Sequence, residues 1–356
     1  MTEKNYNVIG VMSGTSLDGT DLAHILFTEN NGKWAFKIKE AETVPYSDIW
    51  LDRLKNAIDY NERMLEELNH DYTALLANII RNFINTHNIT GLDAVCSHGH
   101  TILHRPQDGI TLQIGNLAQI AALTGQTVVC DFRVQDVAMG GQGAPLVPIG
   151  DRILFSDFDY CLNLGGFSNI SFDENGERRA FDICPVNTVL NHYANRLGYP
   201  YDDGGSIARG GKLNKELFYE LESLDFYTAP YPKSLGFEFV KQTILPLIES
   251  YNIQTEDKLH TFTEHIASQI AQVIAQNKSG SLLVTGGGAY NTYLISRMRE
   301  LLPNTIISVP DDKTIQFKEA LIFALLGVLR LRGDINVLGS VTGAAQDHSS
   351  GRIFKA

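Results

Sequence analysis

The segment that decides the fold runs from Asn7 to Phe27 and reads NVIGVMSGTSLDGTDLAHILF. Its two ends are apolar, and its middle, Gly14 to Asp21, consists mainly of small and polar residues. Two apolar runs joined by such a turn predict a β-hairpin. Outward from the hairpin, the pattern predicts a third strand at residues 34–38, amphipathic helices at about 48–67 and 72–87, and short buried strands at 92–97 and 127–130.

The same order of elements begins again at Asp159. Residues 159–172 read as a strand, a turn containing Gly165 and Gly166, and a second strand, and residues 179–182 read as a third. Strands first and alternating helices and strands later, twice over, predict a duplicated α/β chain with two mixed sheets around a central cleft. We expect an N-terminal lobe at residues 1–135, a C-terminal lobe at 136–344, and a tail at about 345–356 that packs back on the first lobe.

The composition disfavours several classes of function. The 356 residues include 29 Lys and Arg against 41 Asp and Glu, and the net charge of −12 would repel nucleic acids and anionic membranes. The longest apolar run, at 320–329, is too short to span a membrane, and the polar N-terminus lacks the apolar run of a signal peptide. The four cysteines show no CxxC spacing, so we expect reduced thiols and a cytoplasmic protein.

Three glycine turns are candidates for binding phosphate or nucleotide. The turn from Gly14 to Asp21 could direct backbone N–H groups at a polyphosphate and offer carboxylates to hydrated Mg²⁺, or it could simply close a hairpin. Gly165 and Gly166 occupy the equivalent turn of the second copy, which favours the phosphate interpretation. The run Gly286–Gly288 follows a predicted strand and would let a flat ring or ribose lie on the backbone, although a turn without a ligand would look the same.

Polar residues also follow the predicted strands of the first copy. His98, His100 and His104 could ligate a metal, but no further ligand completes a set, so neutral imidazoles in an active-site loop are favoured. Asp131 and Arg133 follow the strand at 127–130, where a guanidinium suits a carboxylate or phosphate, or forms a surface ion pair.

A carboxylate closes the third strand of the second copy. Asp182 precedes Pro185, which reads as the first residue of a helix whose positive end would lie near the carboxylate. A purely stabilising role at the helix N-terminus is the alternative.

Together these segments resemble the anhydro-N-acetylmuramic acid kinase family, which belongs to the sugar kinase, Hsp70 and actin superfamily. The resemblance covers nearly the whole chain, in the family's order. The similar stretches are residues 10–19, 97–101, 104–106, 112–115, 131–133, 140–148, 163–170, 181–182, 201–204, 286–288 and 341–344.

The resemblance implies a duplicated actin-like (ribonuclease H-like) ATPase fold and an ATP- and Mg²⁺-dependent enzyme. Such an enzyme opens 1,6-anhydro-N-acetylmuramic acid with water and phosphorylates O6, giving N-acetylmuramic acid 6-phosphate in peptidoglycan recycling. Its partners would be the amino sugar and ATP, with no nucleic acid and no membrane, and a second copy of the chain in a homodimer is the further candidate.

The resemblance also implies roles for individual residues. Asp182 would be the general base, and Asp18 would hold Mg²⁺ through water. ATP would bind at Gly14, Thr15, Ser16, Leu17, Asp18, Gly19, Thr20, Asp21, Gly165, Gly166, Gly286, Gly287 and Gly288. The sugar would bind at Asp131, Arg133, Glu319, His98 and Asn187, with Arg133 facing the lactyl carboxylate.

One departure from the family pattern lies beside Asp182. Where the family has Gly-Pro-Gly-Asn, this chain has Cys184-Pro-Val-Asn187, which predicts a tighter sugar pocket. The alternatives are therefore a kinase of a related anhydrosugar or amino sugar, and a nucleotide-binding regulator without catalysis.

Overall fold

The computed structural model describes residues 3–14, 17–276 and 280–356. Backbone contacts divide the chain into two compact units. Unit 1 comprises Met1–Leu154 and Phe317–Ala356, and unit 2 comprises Phe155–Gln316.

Unit 1 is built on one mixed sheet. Its strands follow the order β3-β2-β1-β4-β6-β12, and β5 pairs with β4. The first three strands are antiparallel, whereas β4 runs parallel to β1 and β6 runs parallel to β4. The strands are β1 Lys4–Ser13, β2 Thr20–Asn30, β3 Lys33–Val44, β4 Ala94–Arg105, β5 Ile110–Ile114, β6 Val128–Cys130 and β12 Arg352–Phe354.

Unit 2 repeats the same plan with the strand order β9-β8-β7-β10-β11. Its first three strands are antiparallel, and β10 and β11 continue the sheet in parallel to β7. The strands are β7 Tyr160–Leu164, β8 Phe167–Glu174, β9 Glu177–Pro185, β10 Ser281–Thr285 and β11 Ile306–Ser308. The predicted hairpins and the predicted repeat of one α/β unit are confirmed.

Helices supply the rest of both cores. In unit 2, the sheet and the helices share one apolar cluster that includes Leu162, Val189, Phe262 and Leu294. The helices are α1 Asp48–Asn56, α2 Glu62–Thr86, α3 Gln119–Thr124, α4 Val134–Ala138, α5 Val147–Leu154, α6 Asn187–Arg196, α7 Ser206–Gly210, α8 Lys215–Glu222, α9 Asp225–Thr228, α10 Phe237–Phe239, α11 Leu245–Glu249, α12 Thr255–Ala275, α13 Thr292–Leu301, α14 Asp312–Arg332 and α15 Gly339–Thr342. None of the helices so described is long and apolar enough to cross a membrane.

One helical prediction in unit 1 is corrected by the structure. The helix expected at 48–67 ends at Asn56, and α2 begins at Glu62 because the side chain of Asn61 accepts a hydrogen bond from Met64 N at 3.0 Å and caps it. The helix α14 begins at Asp312 and bends at Phe317, the first residue of the second segment of unit 1.

The strand expected at 92–97 is also longer than predicted. It extends to Arg105 because β5 pairs with it as a hairpin, closed by Gly109 at a φ of 71°. His98, His100 and His104 therefore lie on a strand, and their expected placement in a loop is wrong.

The bounds of the two units differ from those expected for the lobes. Residues 136–154 and 317–344, expected in the second lobe, have their contacts in unit 1. The physical reason is α14, whose segment after Phe317 packs on the first sheet. The C-terminal strand β12 pairs with β6 of that sheet.

Glycines allow α14 to approach the sheet closely. A Cβ atom at Gly10 of β1 would lie 1.9 Å from the backbone oxygen of Ala320, and one at Gly327 would lie 2.2 Å from Cys96 Sγ of β4. Because backbone cannot yield as a side chain can, Gly10 fixes where Ala320 and its neighbour Glu319 meet the strand.

We expect Gly10→Ala to destabilise the protein by about 3 kcal/mol or more, since the methyl group must displace a helix backbone. Gly210→Ala is the matched control, because a Cβ there meets nothing within 4 Å. Its effect should stay within about 1 kcal/mol. Thermal and urea unfolding of both variants check the prediction, and equal midpoints would contradict it.

Candidate active site

The turn between β1 and β2 is held by close backbone contacts. Leu17 N donates to Gly14 O at 3.3 Å, and Leu17 has a φ of 62°. A Cβ at Gly19 would lie 2.5 Å from the carbonyl oxygen of Val44, so only glycine fits there. Thr15 and Ser16, two of the predicted ATP ligands, lie outside the described residues.

The polar residues at the end of this turn have different surroundings. Asp18 is exposed, whereas Asp21 is half-buried and accepts a hydrogen bond from Thr43 Oγ1 at 2.5 Å. Thr20 is fully buried, and its hydroxyl donates to Tyr46 Oη at 3.1 Å. The Thr20 hydroxyl is therefore engaged inside the protein, and Asp18 and Asp21 carry the charge of the turn.

The charge of Asp18 affects two other carboxylates of unit 1. Burial raises the pKa of Asp21, and the charge of Asp18 adds to this rise. Loss of solvation also raises the pKa of Glu319, to which the charges of Asp21 and Asp18 contribute, while Arg133 lowers it. Glu319 nevertheless keeps access to solvent. Asp18, Asp21 and Glu319 thus form a negative cluster near one guanidinium.

Arg133 is held in a fixed orientation by two acceptors. Its Nε donates to His98 Nε2 at 2.8 Å, and its Nη1 donates to the carbonyl oxygen of Gly143 at 2.5 Å. Gly143 is held in turn by Asp136, whose Oδ2 accepts from Gly143 N at 2.6 Å and whose Oδ1 accepts from Thr342 Oγ1 at 2.7 Å. Within the described residues, no hydrogen bond reaches Nη2 of Arg133, so this edge of the guanidinium can meet a ligand.

The hydrogen bonds of His98 determine its tautomer. Because Nε2 accepts from Arg133, the proton lies on Nδ1, which donates to Gly99 O at 2.9 Å. Burial and the nearby Arg133 hold the pKa of His98 well below its usual range, so the ring is neutral. Both ring nitrogens are used, and we infer that His98 acts on the predicted sugar site through Arg133.

Gly99 separates the surroundings of the two histidines beside it. At a φ of 75° it bends β4, and a Cβ there would lie 2.5 Å from the carbonyl oxygen of Ile114. His98 packs on Phe323 with ring centroids 4.6 Å apart, whereas His100 Nδ1 lies 2.8 Å from Ser13 Oγ. Across residues 3–14, 17–276 and 280–356, no group of three or more His, Cys, Asp or Glu side chains could hold a metal ion.

Asp131 has a strained backbone and an ion pair. Its φ is 62°, and its Oδ2 lies 3.1 Å from Arg352 Nε of β12. Burial raises the pKa of Asp131, and Arg352 partly offsets that rise. The C-terminal strand thus supplies a cation beside a predicted sugar residue.

In unit 2, the glycine turn between β7 and β8 receives the start of α6. Val186 N and Thr188 N donate to Gly166 O at 2.8 and 3.2 Å, and Asn187 N donates to Gly165 O at 3.3 Å. Carbonyl oxygens of the turn therefore satisfy the first N–H groups of this helix.

The second glycine run lies against the same turn. A Cβ at Gly286 would lie 2.6 Å from Asn163 Oδ1, and one at Gly288 would lie 2.7 Å from Leu164 Cβ. The side chain of Asn187 donates to Leu164 O at 3.2 Å, and a Cβ at Gly287 would lie 3.8 Å from its amide nitrogen. The fold thus brings together both glycine runs and Asn187 at the ends of β7 and β10.

Asp182 lies within β9, where that strand carries one extra residue, Ile183, relative to β8. Its backbone N donates to Lys233 O at 3.0 Å, and its Oδ2 accepts from Leu235 N at 2.8 Å. Burial raises the pKa of Asp182 above its ordinary value of 3.8, and the Leu235 amide partly offsets the rise. The carboxylate is therefore held at one oxygen and has a raised proton affinity.

The expected start of the helix next to Asp182 is corrected. Pro185 ends β9, and α6 begins at Asn187, so Pro185 is not the first residue of the helix. The side chains of Cys184 and Val186 are fully buried in the core of unit 2. A tighter sugar pocket at this position stays a prediction.

Two supports of the candidate residues come from positions that are distant in the sequence. Leu235 lies 53 positions after Asp182 and acts through its backbone, which no side-chain motif encodes. Asp136 supports Gly143 beside Arg133, and its own partner Thr342 is 206 positions away.

Comparisons with known proteins bear on the family. A family model described as anhydro-N-acetylmuramic acid kinase matches residues 6–356. An anhydro-N-acetylmuramic acid kinase from Aliivibrio fischeri is 34% identical over 365 residues, covering 98% of this chain and 99% of the relative. One from Pasteurella multocida is 35% identical over 373 residues, covering 99% and 98%. A solved ROK family glucokinase from Streptomyces griseus, in complex with glucose and AMPPNP, is 12% identical, with a TM-score of 0.40 over 90% of this chain and 99% of that one.

The family match agrees with the architecture of the chain. Two units, each with three antiparallel strands continued by parallel ones, confirm the predicted duplicated actin-like fold class. The matches span nearly the whole chain and the whole of the relatives. The chain therefore belongs to the anhydro-N-acetylmuramic acid kinase family and is a kinase.

Proposed function

We propose that the protein uses ATP to open 1,6-anhydro-N-acetylmuramic acid with water and to phosphorylate O6, giving N-acetylmuramic acid 6-phosphate for peptidoglycan recycling. The observation that carries the proposal is the carboxylate of Asp182, which is held by the Leu235 amide and has a raised pKa, in a chain of this family. A carboxylate with raised proton affinity suits a general base.

Asp182 would take a proton from the water whose oxygen attacks C1 of the sugar. As that C1–O bond forms, the C1–O6 bond breaks, and O6 attacks the γ-phosphorus of ATP while the bond to ADP breaks. The proton on Asp182 then passes to solvent. The balance is one anhydrosugar, one water and one ATP consumed for one sugar phosphate, one ADP and one proton.

The glycine turns of the chain are the candidates for binding ATP. In unit 1 the candidates are Gly14, Leu17, Asp18, Gly19 and Asp21. Thr15 and Ser16 are proposed on sequence alone. Thr20 is buried, so its hydroxyl would support the turn without touching ATP. In unit 2 the candidates are Gly165, Gly166 and Gly286–Gly288. Support comes from the equivalent positions of the two turns in the repeated sheets, one between β1 and β2 and the other between β7 and β8.

Mg²⁺ would bind as a hydrated ion beside Asp18 of unit 1, without a set of three protein ligands among the described residues. Asp18 is exposed, and its charge raises the pKa values of Asp21 and Glu319, so a cation would relieve this repulsion. Because Mg²⁺ keeps most of its water, it needs no protein cage, and Asp18 would hold it through water. The bound ion would neutralise phosphate charge.

The sugar would contact Arg133, Glu319 and Asn187, with Asp131 at the edge of the site. Arg133 supports this assignment, because its open Nη2 edge suits the lactyl carboxylate. His98 would hold Arg133 in place. We also propose that the protein works in the cytoplasm, where ATP is available and its four cysteines, which form no disulfide, would stay reduced.

Coupled ADP release with Mg²⁺-ATP and the anhydrosugar, followed by mass spectrometry of the product, tests the proposal. A product heavier than the substrate by one water and one phosphoryl group supports both halves of the reaction. A gain of the phosphoryl group alone would make the protein an ordinary sugar kinase. No ADP above background with this sugar, but release with another amino sugar, would overturn the substrate. Light scattering of the same sample would distinguish a monomer from a homodimer.

A further inference from the structure

Five buried polar side chains form a hydrogen-bond network at the base of the 14–19 turn. The hydroxyl of Tyr46 lies 2.5 Å from Ser13 Oγ, 3.1 Å from Thr20 Oγ1 and 2.6 Å from Tyr72 Oη, and His100 Nδ1 lies 2.8 Å from Ser13 Oγ. Tyr46, at 8%, is the most exposed member of this network.

The network joins the two ends of the turn. Ser13 is the last residue of β1, Thr20 is the first residue of β2, and the two are paired across the strands. Tyr46 follows β3, Tyr72 lies on α2 and His100 lies on β4, so three further elements converge on this point.

Burial keeps Tyr72 and His100 uncharged. It raises the pKa of Tyr72 well above the usual range and lowers that of His100 to about 4, so both rings are neutral around pH 7. A buried polar network whose members are all paired is rigid, because a group that moved away would be left buried without a hydrogen-bond partner. The strand ends on either side of residues 14–19 are therefore fixed before any ligand arrives.

We propose that Tyr46 is a positioning residue for ATP: its hydroxyl ties Ser13 to Thr20 and so fixes the two strand ends that flank the proposed phosphate-binding turn. When the ends of a loop are fixed in advance, less conformational entropy is lost on binding, and the affinity for the ligand is higher. The inference rests on the proposed role of this turn in binding ATP. It assigns to Tyr46 no contact with ATP itself.

Tyr46→Phe removes the hydroxyl and keeps the ring. We expect the Kd for a non-hydrolysable ATP analogue and the KM for ATP to rise about five- to tenfold, while the KM for the sugar changes less than about twofold. Ser13→Ala removes the same tie from the other side and should give the same selective loss, so it serves if Tyr46→Phe fails to fold.

Tyr193→Phe is the matched control. Tyr193 is a fully buried tyrosine of unit 2 whose hydroxyl donates to Glu249 Oε1 at 2.7 Å. Its loss should lower the unfolding midpoint without changing the affinity for ATP, which separates positioning from general stability.

The outcomes distinguish this inference from the proposed function. If the wild-type protein binds the analogue and both Tyr46→Phe and Ser13→Ala bind it equally well, the inference is wrong and the kinase proposal stands. Equal losses of ATP and sugar affinity would also overturn it, since they indicate general damage. If the wild-type protein binds no nucleotide, the proposed function fails and this inference fails with it.

Discussion

Asp182→Asn should lower the turnover of sugar and ATP by about two to four powers of ten, because an amide cannot take a proton from the attacking water. The asparagine oxygen can still accept from Leu235 N, so the local geometry should persist. The affinity for an ATP analogue should stay within about twofold of the wild-type value, since the change removes chemistry and not binding. Single-turnover kinetics and direct nucleotide binding check both parts.

The control for this substitution is Asp59→Asn, at an exposed aspartate of unit 1. It should leave the rate unchanged. Near-full turnover of Asp182→Asn would show that another group accepts the proton.

The pH dependence of the wild-type rate tests the same assignment. A general base works as the carboxylate, so activity is lost as the pH falls through its pKa. Because burial raises the pKa of Asp182 above 3.8, this loss should occur at higher pH than an ordinary aspartate would give. The acidic limb should be absent from the residual activity of Asp182→Asn.

Arg133→Lys should raise the KM for the anionic sugar and lower kcat/KM about a hundredfold, with little change in the KM for ATP. Lysine keeps the charge but cannot bind His98 and Gly143 O at once while presenting a further N–H edge to a ligand. Steady-state kinetics with 1,6-anhydro-N-acetylmuramic acid and with 1,6-anhydro-N-acetylglucosamine, which lacks the lactyl carboxylate, measure the effect.

The comparison of the two sugars identifies the cause. If Arg133 faces the carboxylate, the variant loses most of its preference for the acidic sugar. An equal loss with both sugars would contradict that role, and Arg63→Lys, at an exposed arginine in an i,i+4 pair with Glu67, should change neither.

The parts of the site that could be predicted are those encoded within a few neighbouring residues. The hairpin around Gly14 to Asp21 and the strand carrying Asp182 follow from alternation and turn residues, which act locally. The supports of the site depend on contacts between distant segments. Leu235 contributes only a backbone amide, and the extra residue at Ile183 depends on pairing with β8.

His98 and His100 show the same limit at close range. Two positions apart on a strand, their side chains should share a face. The positive φ of Gly99 breaks that alternation, and nothing in the sequence distinguishes this glycine from an ordinary one.

The bend at Gly99 also constrains how this protein can change over evolution. The histidines on either side of it contact groups that serve different substrates in our proposals. His98 holds Arg133, which serves the sugar, and His100 contacts the Ser13 hydroxyl, which serves ATP. A side chain at position 99 would meet the backbone of β5, so every replacement disturbs both supports together. Substitutions at the histidines or their partners can thus change sugar preference and nucleotide affinity independently. A substitution at position 99 changes both properties at once, so selection acts on them together.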